Sequence, residues 1–214
     1  MRGFGSWVAG IAFAVLGVGL GVVLLATPPF TRALAESYSL GQTAGLSRAD
    51  TLDIVERVRV FVVRGGQKED LPVLVGGRPG FDASAVSHLT DVHNVLGAAR
   101  MATVLLALGL GLWIASALQL RERARVALAL KVGAGASVIL VVLAALAAML
   151  DFSAFFSAFH GLFFRPGTWT FPYDSLLIRL FPEPFWVAAG VAWAALVLLI
   201  AGAYWLIALR LAWE

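Results

Sequence analysis

Residues 101–150 read MATVLLALGLGLWIASALQLRERARVALALKVGAGASVILVVLAALAAML. Two runs without Asp, Glu, Lys or Arg, 101–120 and 132–150, flank the basic linker RERARVALALK at 121–131. A helix rises about 1.5 Å per residue, so ~20 apolar residues cross a hydrocarbon core of ~30 Å. Each run predicts a membrane-crossing helix, and the short linker makes the two antiparallel neighbours. The linker carries three Arg and one Lys against one Glu. Basic residues in short loops stay on the cytoplasmic side, so 121–130 is predicted to be a cytoplasmic loop.

Two more charge-free runs lie outside this stretch, at 3–31 and 184–209. The expected fold is an all-α membrane protein, a single membrane domain with four transmembrane helices at about 5–26, 98–120, 131–151 and 185–209. Ala33-Leu34-Ala35 resembles a signal-peptide cleavage site. The first run spans 29 residues, whereas the apolar region of a signal peptide has about 7–15. It therefore reads as a retained helix, stopped by Pro28-Pro29. Both termini are expected to be cytoplasmic. Segments 28–97 and 152–184 are then extracytoplasmic, and they hold all three histidines, His88, His93 and His160.

The composition agrees. Of 214 residues, 60% are hydrophobic and 14% charged, with a mean hydropathy of +0.88. A soluble domain is about 45–50% apolar and about 25% charged, so a water-soluble enzyme and a disordered chain are both excluded. The absence of cysteine excludes disulfides, thiolate metal sites and cysteine nucleophiles. The net charge of +3 sits in the 121–131 linker, so the basic isoelectric point does not indicate a nucleic-acid partner. GVGLGVVL at 17–24 is glycine-rich helix packing. No strand precedes it, which excludes a nucleotide fingerprint.

The outer segments are patterned for order and predict a helical extracytoplasmic cap. Ser47-Arg48-Ala49-Asp50 resembles a capping box with Asp in place of Glu. It opens an amphipathic helix, 48–63, with Leu52, Ile54, Val55, Val58, Phe61 and Val62 on one stripe and an Asp53–Arg57 pair opposite. Gly65-Gly66 ends it. A Gly- and Pro-rich loop follows, with a short strand at Val73–Val75. Asp82 then caps a helix over 83–100 that continues into the second membrane helix. In DFSAFFSAFHGLFF (151–164) the aromatics fall at helical spacing, so the third membrane helix is expected to continue outward, with Ser153, Ser157 and His160 on one face. The phenylalanines fit an interfacial aromatic belt; the belt explains neither His160 nor the polar loop RPGTWTFPYD at 165–174.

His88 lies 12 residues before Arg100 and His160 lies 9 after Asp151. Continued helices would lift them by roughly 18 Å and 14 Å, which matches their heights. Asp91 shares the helical face of His88 and is placed to orient or charge-stabilise its imidazole. His93 is turned away and is the weaker candidate. Two readings follow from these residues: a haem or metal carrier using His88 and His160 as ligands, and a membrane scaffold.

SHLTDVHNVL (87–96) and FHGLFFRPGTWTFPYDSLLIRLFPEPFW (159–186) resemble the bacterial lipoprotein intramolecular transacylases (Lit-type), a family of four-helix integral membrane proteins. The resemblance implies an outer-leaflet reaction on a diacylglyceryl lipoprotein held in membrane lipid. The sn-2 acyl chain moves from the glyceryl oxygen to the α-amine of the N-terminal cysteine, giving the N-acyl, S-monoacylglyceryl (lyso) form. The family's two essential histidines fall on His88 and His160. Asp91, Asp174, Arg179 and Glu183 are expected to support the site, with Asp174 or Glu183 pairing with Arg179 or Arg165. Arg165, Trp169 and Tyr173 are expected to bind substrate. No metal and no cofactor is expected. The chemistry is consistent: an α-amine with a pKa of about 7.7–8 must lose a proton before it attacks an ester, and an imidazole suits that task.

Reporter fusions at Arg123 and Gly167 test the topology. They should report opposite sides of the membrane; the same side for both would end the four-helix arrangement.

Overall fold

The computed structural model describes residues 2–213 except Ala44, Val73 and Gly76. Among the described residues, four helices are long and apolar enough to cross a membrane. They are α1 (Arg2–Leu25), α4 (Ala83–Gln119), α5 (Arg123–Leu150) and α8 (Glu183–Trp213). Between them lie α2 (Pro28–Tyr38), α3 (Arg48–Arg64), α6 (Phe152–Phe163) and α7 (Leu176–Leu180). A two-residue antiparallel pair, β1 (Leu74–Val75) with β2 (Arg78–Pro79), lies in the glycine-rich loop. The strand expected at Val73–Val75 is thus present at Leu74–Val75; Val73 lies outside the described residues.

The chain forms two compact units. The first comprises Met1–Val23, Ala99–Phe152 and Trp193–Glu214. Its core joins Ala9, Phe13 and Leu16 of α1 to Leu110 and Ala117 of α4, Val126, Ala127 and Leu130 of α5, and Ala208 of α8. In lipid, close packing of small residues takes over from the hydrophobic effect. A Cβ on Gly10 would stand 2.5 Å from the Val132 side chain and 3.0 Å from the Ala129 carbonyl. One on Gly133 would stand 2.7 Å from the Phe13 Cβ and 3.0 Å from the Gly10 carbonyl. The glycine-rich stretch expected to pack does so: Gly21 lies against Trp193, whose indole donates to the Val18 carbonyl at 3.4 Å. The turn between α4 and α5 is tight. Glu122 N–H donates to the Ala117 carbonyl at 2.8 Å, and Arg121 takes a left-handed φ of 60°.

The second unit comprises Leu24–Ala98 and Ser153–Ala192. Its organising element is α3, for the reasons its sequence suggests. Ser47 Oγ accepts from Asp50 N–H at 3.0 Å and donates to the Asp50 carboxylate at 2.7 Å. Arg57 Nε donates to Asp53 at 2.7 Å on the exposed side. Gly65, at a φ of 75°, ends the helix. Ile54, Val55, Val58 and Phe61 are buried against Ala35 of α2, Leu71, Phe81, Ala85 and Leu89 of α4, and Leu176, Leu177 and Leu180 of α7. Polar groups tie the rest. Ser39 Oγ donates to the Leu180 carbonyl, Thr43 and Thr51 hydroxyls meet at 2.9 Å, and Arg179 Nε donates to the Gln42 carbonyl at 2.9 Å. Arg59 is buried and paired with Glu56. Its Nη1 donates to the Ala26 carbonyl at 3.4 Å, a cation beside the C-terminal end of α1.

Two expectations are corrected. Pro28-Pro29 does not only stop α1; the prolines occupy the first positions of α2, where the missing N–H is harmless and φ is preset. The third membrane helix does not continue outward. Asp151 is extended, at φ −158° and ψ 98°, and a separate helix starts at Phe152. The rise computed for His160 along one continuous helix therefore does not hold. Asp82 does cap α4, accepting from Ala85 N–H at 2.8 Å, and α4 runs unbroken through His88 to Gln119.

Gly10→Val and Gly133→Val force overpacking, which costs about 1–3 kcal/mol. Both should lower the Tm of the purified protein in detergent. Gly135→Ala, with open space around it, should leave the Tm unchanged or raise it.

Candidate active site

His88 sits on the second turn of α4. Ala85, three residues before it on the same face, is buried in the core of the second unit, as is the adjacent Leu89. His160 sits near the end of α6. Both imidazoles are buried, each with 8% exposure. Their ring centroids are 6.3 Å apart with planes inclined by 28°. At that separation the two rings are close enough to act on neighbouring atoms of one substrate.

An aromatic box surrounds the pair. Phe164 lies 4.9 Å from the His88 ring and 5.6 Å from that of His160. Phe171 is 5.5 Å from His88 and also packs on the core of the unit. Phe156 and Trp169 lie 3.9 Å and 4.9 Å from His160. The phenylalanines that read as an interfacial belt are thus, at 156 and 164, walls of the site.

The two imidazoles are held differently. His160 Nδ1 is 2.9 Å from the Phe156 carbonyl one turn back. A carbonyl only accepts, so the proton sits on Nδ1 and Nε2 carries a free lone pair. His88 Nδ1 is buried with no hydrogen-bond partner among the described residues. Asp91 is partly exposed and makes no hydrogen bond to His88 Nδ1 among the described residues; its carboxylate reaches the ring through its charge. His93 is anchored elsewhere: its Nδ1 lies 3.1 Å from the Val62 carbonyl, and its ring covers Gly65.

The charge-free membrane run starts at 101, so His88 lies outside it, and His160 lies on the short α6. Burial pushes the His88 pKa down to about 4; the nearby His160 lowers it further and the Asp91 carboxylate opposes the fall. Burial also lowers the pKa of His160, against the bond to the Phe156 carbonyl. Both imidazoles are therefore neutral at pH 7.

The remaining expected site residues fall into two groups. Trp169 belongs to the box. Arg165, Tyr173, Asp174 and Glu183 are exposed, Tyr173 by 94%. Arg179 donates through Nε to the Gln42 carbonyl. Ser153 and Ser157 are exposed while His160 is buried, so the three do not share an environment. Phe171 and Phe164 were not singled out as site residues, since a phenylalanine carries no chemical signal of its own.

The sequence matches the family described as lipoprotein intramolecular transacylase Lit over residues 7–186. The chain belongs to the Lit family. Solved structures of the same fold include the membrane integral lipoprotein intramolecular transacylase Lit from Bacillus cereus. It is 17% identical, with a TM-score of 0.73 over 97% of this chain and 94% of that one. A variant of the Bacillus cereus protein with one histidine changed to alanine aligns with a TM-score of 0.70 at 16% identity, over 97% and 91% of the chains. No curated protein matches the sequence. Membership of the Lit family makes this chain a membrane-integral lipoprotein transacylase and removes the carrier and scaffold readings.

Histidine-selective 15N NMR in micelles checks the electrostatics. Burial disfavours the imidazolium, so His88 should stay neutral as pH falls through the ordinary histidine value of about 6.5 and protonate only near pH 4. A His88 midpoint at or above the ordinary value would contradict the buried arrangement.

Proposed function

We propose that this Lit-family chain moves the sn-2 acyl chain of a diacylglyceryl lipoprotein to the α-amine of its N-terminal cysteine, and that His88 and His160 carry the reaction. The observation that carries this reading is the 6.3 Å pairing of two buried imidazoles inside an aromatic box. The amine nitrogen bonds the ester carbonyl carbon, and the carbonyl π pair moves to oxygen. A base takes the amine proton. The pair then returns, the bond to the glyceryl oxygen breaks, and that oxygen takes up a proton. The products are an amide and a free glyceryl hydroxyl, with no oxidant and no separate acyl carrier.

The hydrogen bonding supports a division of labour. His160 has its Nδ1–H committed to Phe156, which frees Nε2 as the base. His88 stands across the gap with a neutral ring, which offers an N–H hydrogen bond to the leaving oxygen while that oxygen takes up the proton His160 accepted from the amine. The Asp91 charge eases positive charge near His88 as the proton moves. Amine and ester belong to one molecule, so holding them in register supplies much of the acceleration. We further assign the exposed Arg165 and Tyr173 to contacts with the polar part of the substrate. By the distribution of Lys and Arg, the site faces the extracytoplasmic leaflet of the bacterial cytoplasmic membrane.

Conversion of diacyl to lyso-form lipoprotein, followed by mass spectrometry of the N-terminal peptide, tests the reading. General acid–base help is worth about 10²–10⁴-fold, so His88→Ala and His160→Ala should each reduce conversion at least a hundredfold at equal membrane protein level. His93→Ala should reduce it far less and lower the Tm instead, because its ring ties α4 to the end of α3. Near-normal conversion by either His88→Ala or His160→Ala would remove the two-histidine mechanism.

A further inference from the structure

The box leaves two buried nitrogen atoms unpartnered among the described residues: His88 Nδ1 and Trp169 Nε1. The other indoles with a described bond are satisfied. Trp186 Nε1 donates to the Phe181 carbonyl at 3.0 Å, and Trp193 Nε1 to the Val18 carbonyl at 3.4 Å. An indole N–H can only donate, and a buried donor without an acceptor is destabilising. Trp169 is nevertheless fixed in place. Its ring is 4.9 Å from His160 and 6.5 Å from Phe156.

We propose that the Trp169 Nε1–H is the oxyanion donor of the acyl transfer, which rests on the transacylase reading and adds a third catalytic group to its two histidines. When the amine nitrogen bonds the ester carbonyl carbon, the π pair develops into a full charge on oxygen. Neither histidine as assigned is committed to that oxygen: His160 Nε2 takes the amine proton, and His88 serves the leaving glyceryl oxygen. The walls contributed by Phe156, Phe164 and Phe171 carry no donor. Ser153, Ser157 and Arg165 are exposed. The indole beside His160 is the remaining described side-chain donor in the box, and it flanks the base that works on the same carbon. It gives up no proton. It binds the oxygen while the pair resides there and releases it when the pair returns and the glyceryl carbon–oxygen bond breaks. A fixed donor in a low-dielectric wall is worth more than the same donor in water.

The test replaces Trp169 in the purified full chain with phenylalanine and, separately, with 3-benzothienylalanine, which puts sulfur where the N–H stands and keeps the ring shape. The substrate is a synthetic diacylglyceryl lipopeptide in mixed micelles, and turnover, KM and Tm are measured. Loss of one oxyanion donor costs about 10²–10³-fold in kcat, so both variants should lose turnover by that factor. KM and Tm should hold, because the lost interaction exists only in the transition state. Turnover near that of the unsubstituted protein in the benzothienyl variant would overturn the proposal. A raised KM with kcat retained would overturn it in favour of ground-state binding, and a fall in Tm that parallels the loss of turnover would overturn it in favour of structural support. Absence of conversion by the unsubstituted protein would overturn the transacylase reading and this proposal together.

Discussion

Taking an imidazole out of water disfavours its charged form, and the site depends on this desolvation. Phe164 and Phe171 against His88, and Phe156 and Trp169 against His160, keep both rings neutral at the pH where the chain must work. A neutral imidazole has a lone pair to offer; an imidazolium has none. The same walls explain why so few polar groups suffice. The Phe156 carbonyl fixes the tautomer of His160, and Asp91 tempers the burial of His88 through space. The linkage to stability has a definite sign: a histidine whose folded pKa is depressed binds its proton more readily in the unfolded chain, so its contribution is lost as pH falls below about 6.5.

The rest of the second unit serves to hold these walls. Leu89, beside His88, is buried with α3 and α7, and Phe171 packs on that core with one face and on His88 with another. Polar ties at Ser39, Thr43, Thr51 and Arg179 close the unit at points where apolar packing alone would leave the segments free to slide. The buried Arg59 follows the same logic at the end of α1: it carries its own counter-ion, Glu56, into the interior and spends a third contact on a backbone carbonyl.

Periodicity and charge made the membrane helices legible, because lipid demands length and the absence of charge, and both are visible residue by residue. The caps at Ser47 and Asp82 were legible because their chemistry is local. What failed was local structure set by tertiary context. Asp151 sits at the end of an apolar run that helical spacing would carry onward, and only the chain path shows that the backbone extends there. α2 was missed because Pro28-Pro29 signals a stop and a start with the same two residues. The pairing of His88 with His160 was legible as two similar distances from the apolar runs; its basis in a continuous third helix was not correct. The aromatic walls were invisible as such, since helical spacing of phenylalanines reads equally well as a belt.

Arg121 carries a further meaning. It takes a left-handed conformation at the turn between α4 and α5, the sole non-glycine residue to do so among the described residues. That conformation costs a residue with a Cβ about 1–2 kcal/mol, and glycine would adopt it freely. A basic side chain stands there all the same, in the linker whose charge sets the proposed orientation. By the positive-inside rule, a basic residue in a short linker is one of the charges that bias its side of the membrane. Glycine at 121 would relieve the strained turn and would also take away one of the linker's four basic residues.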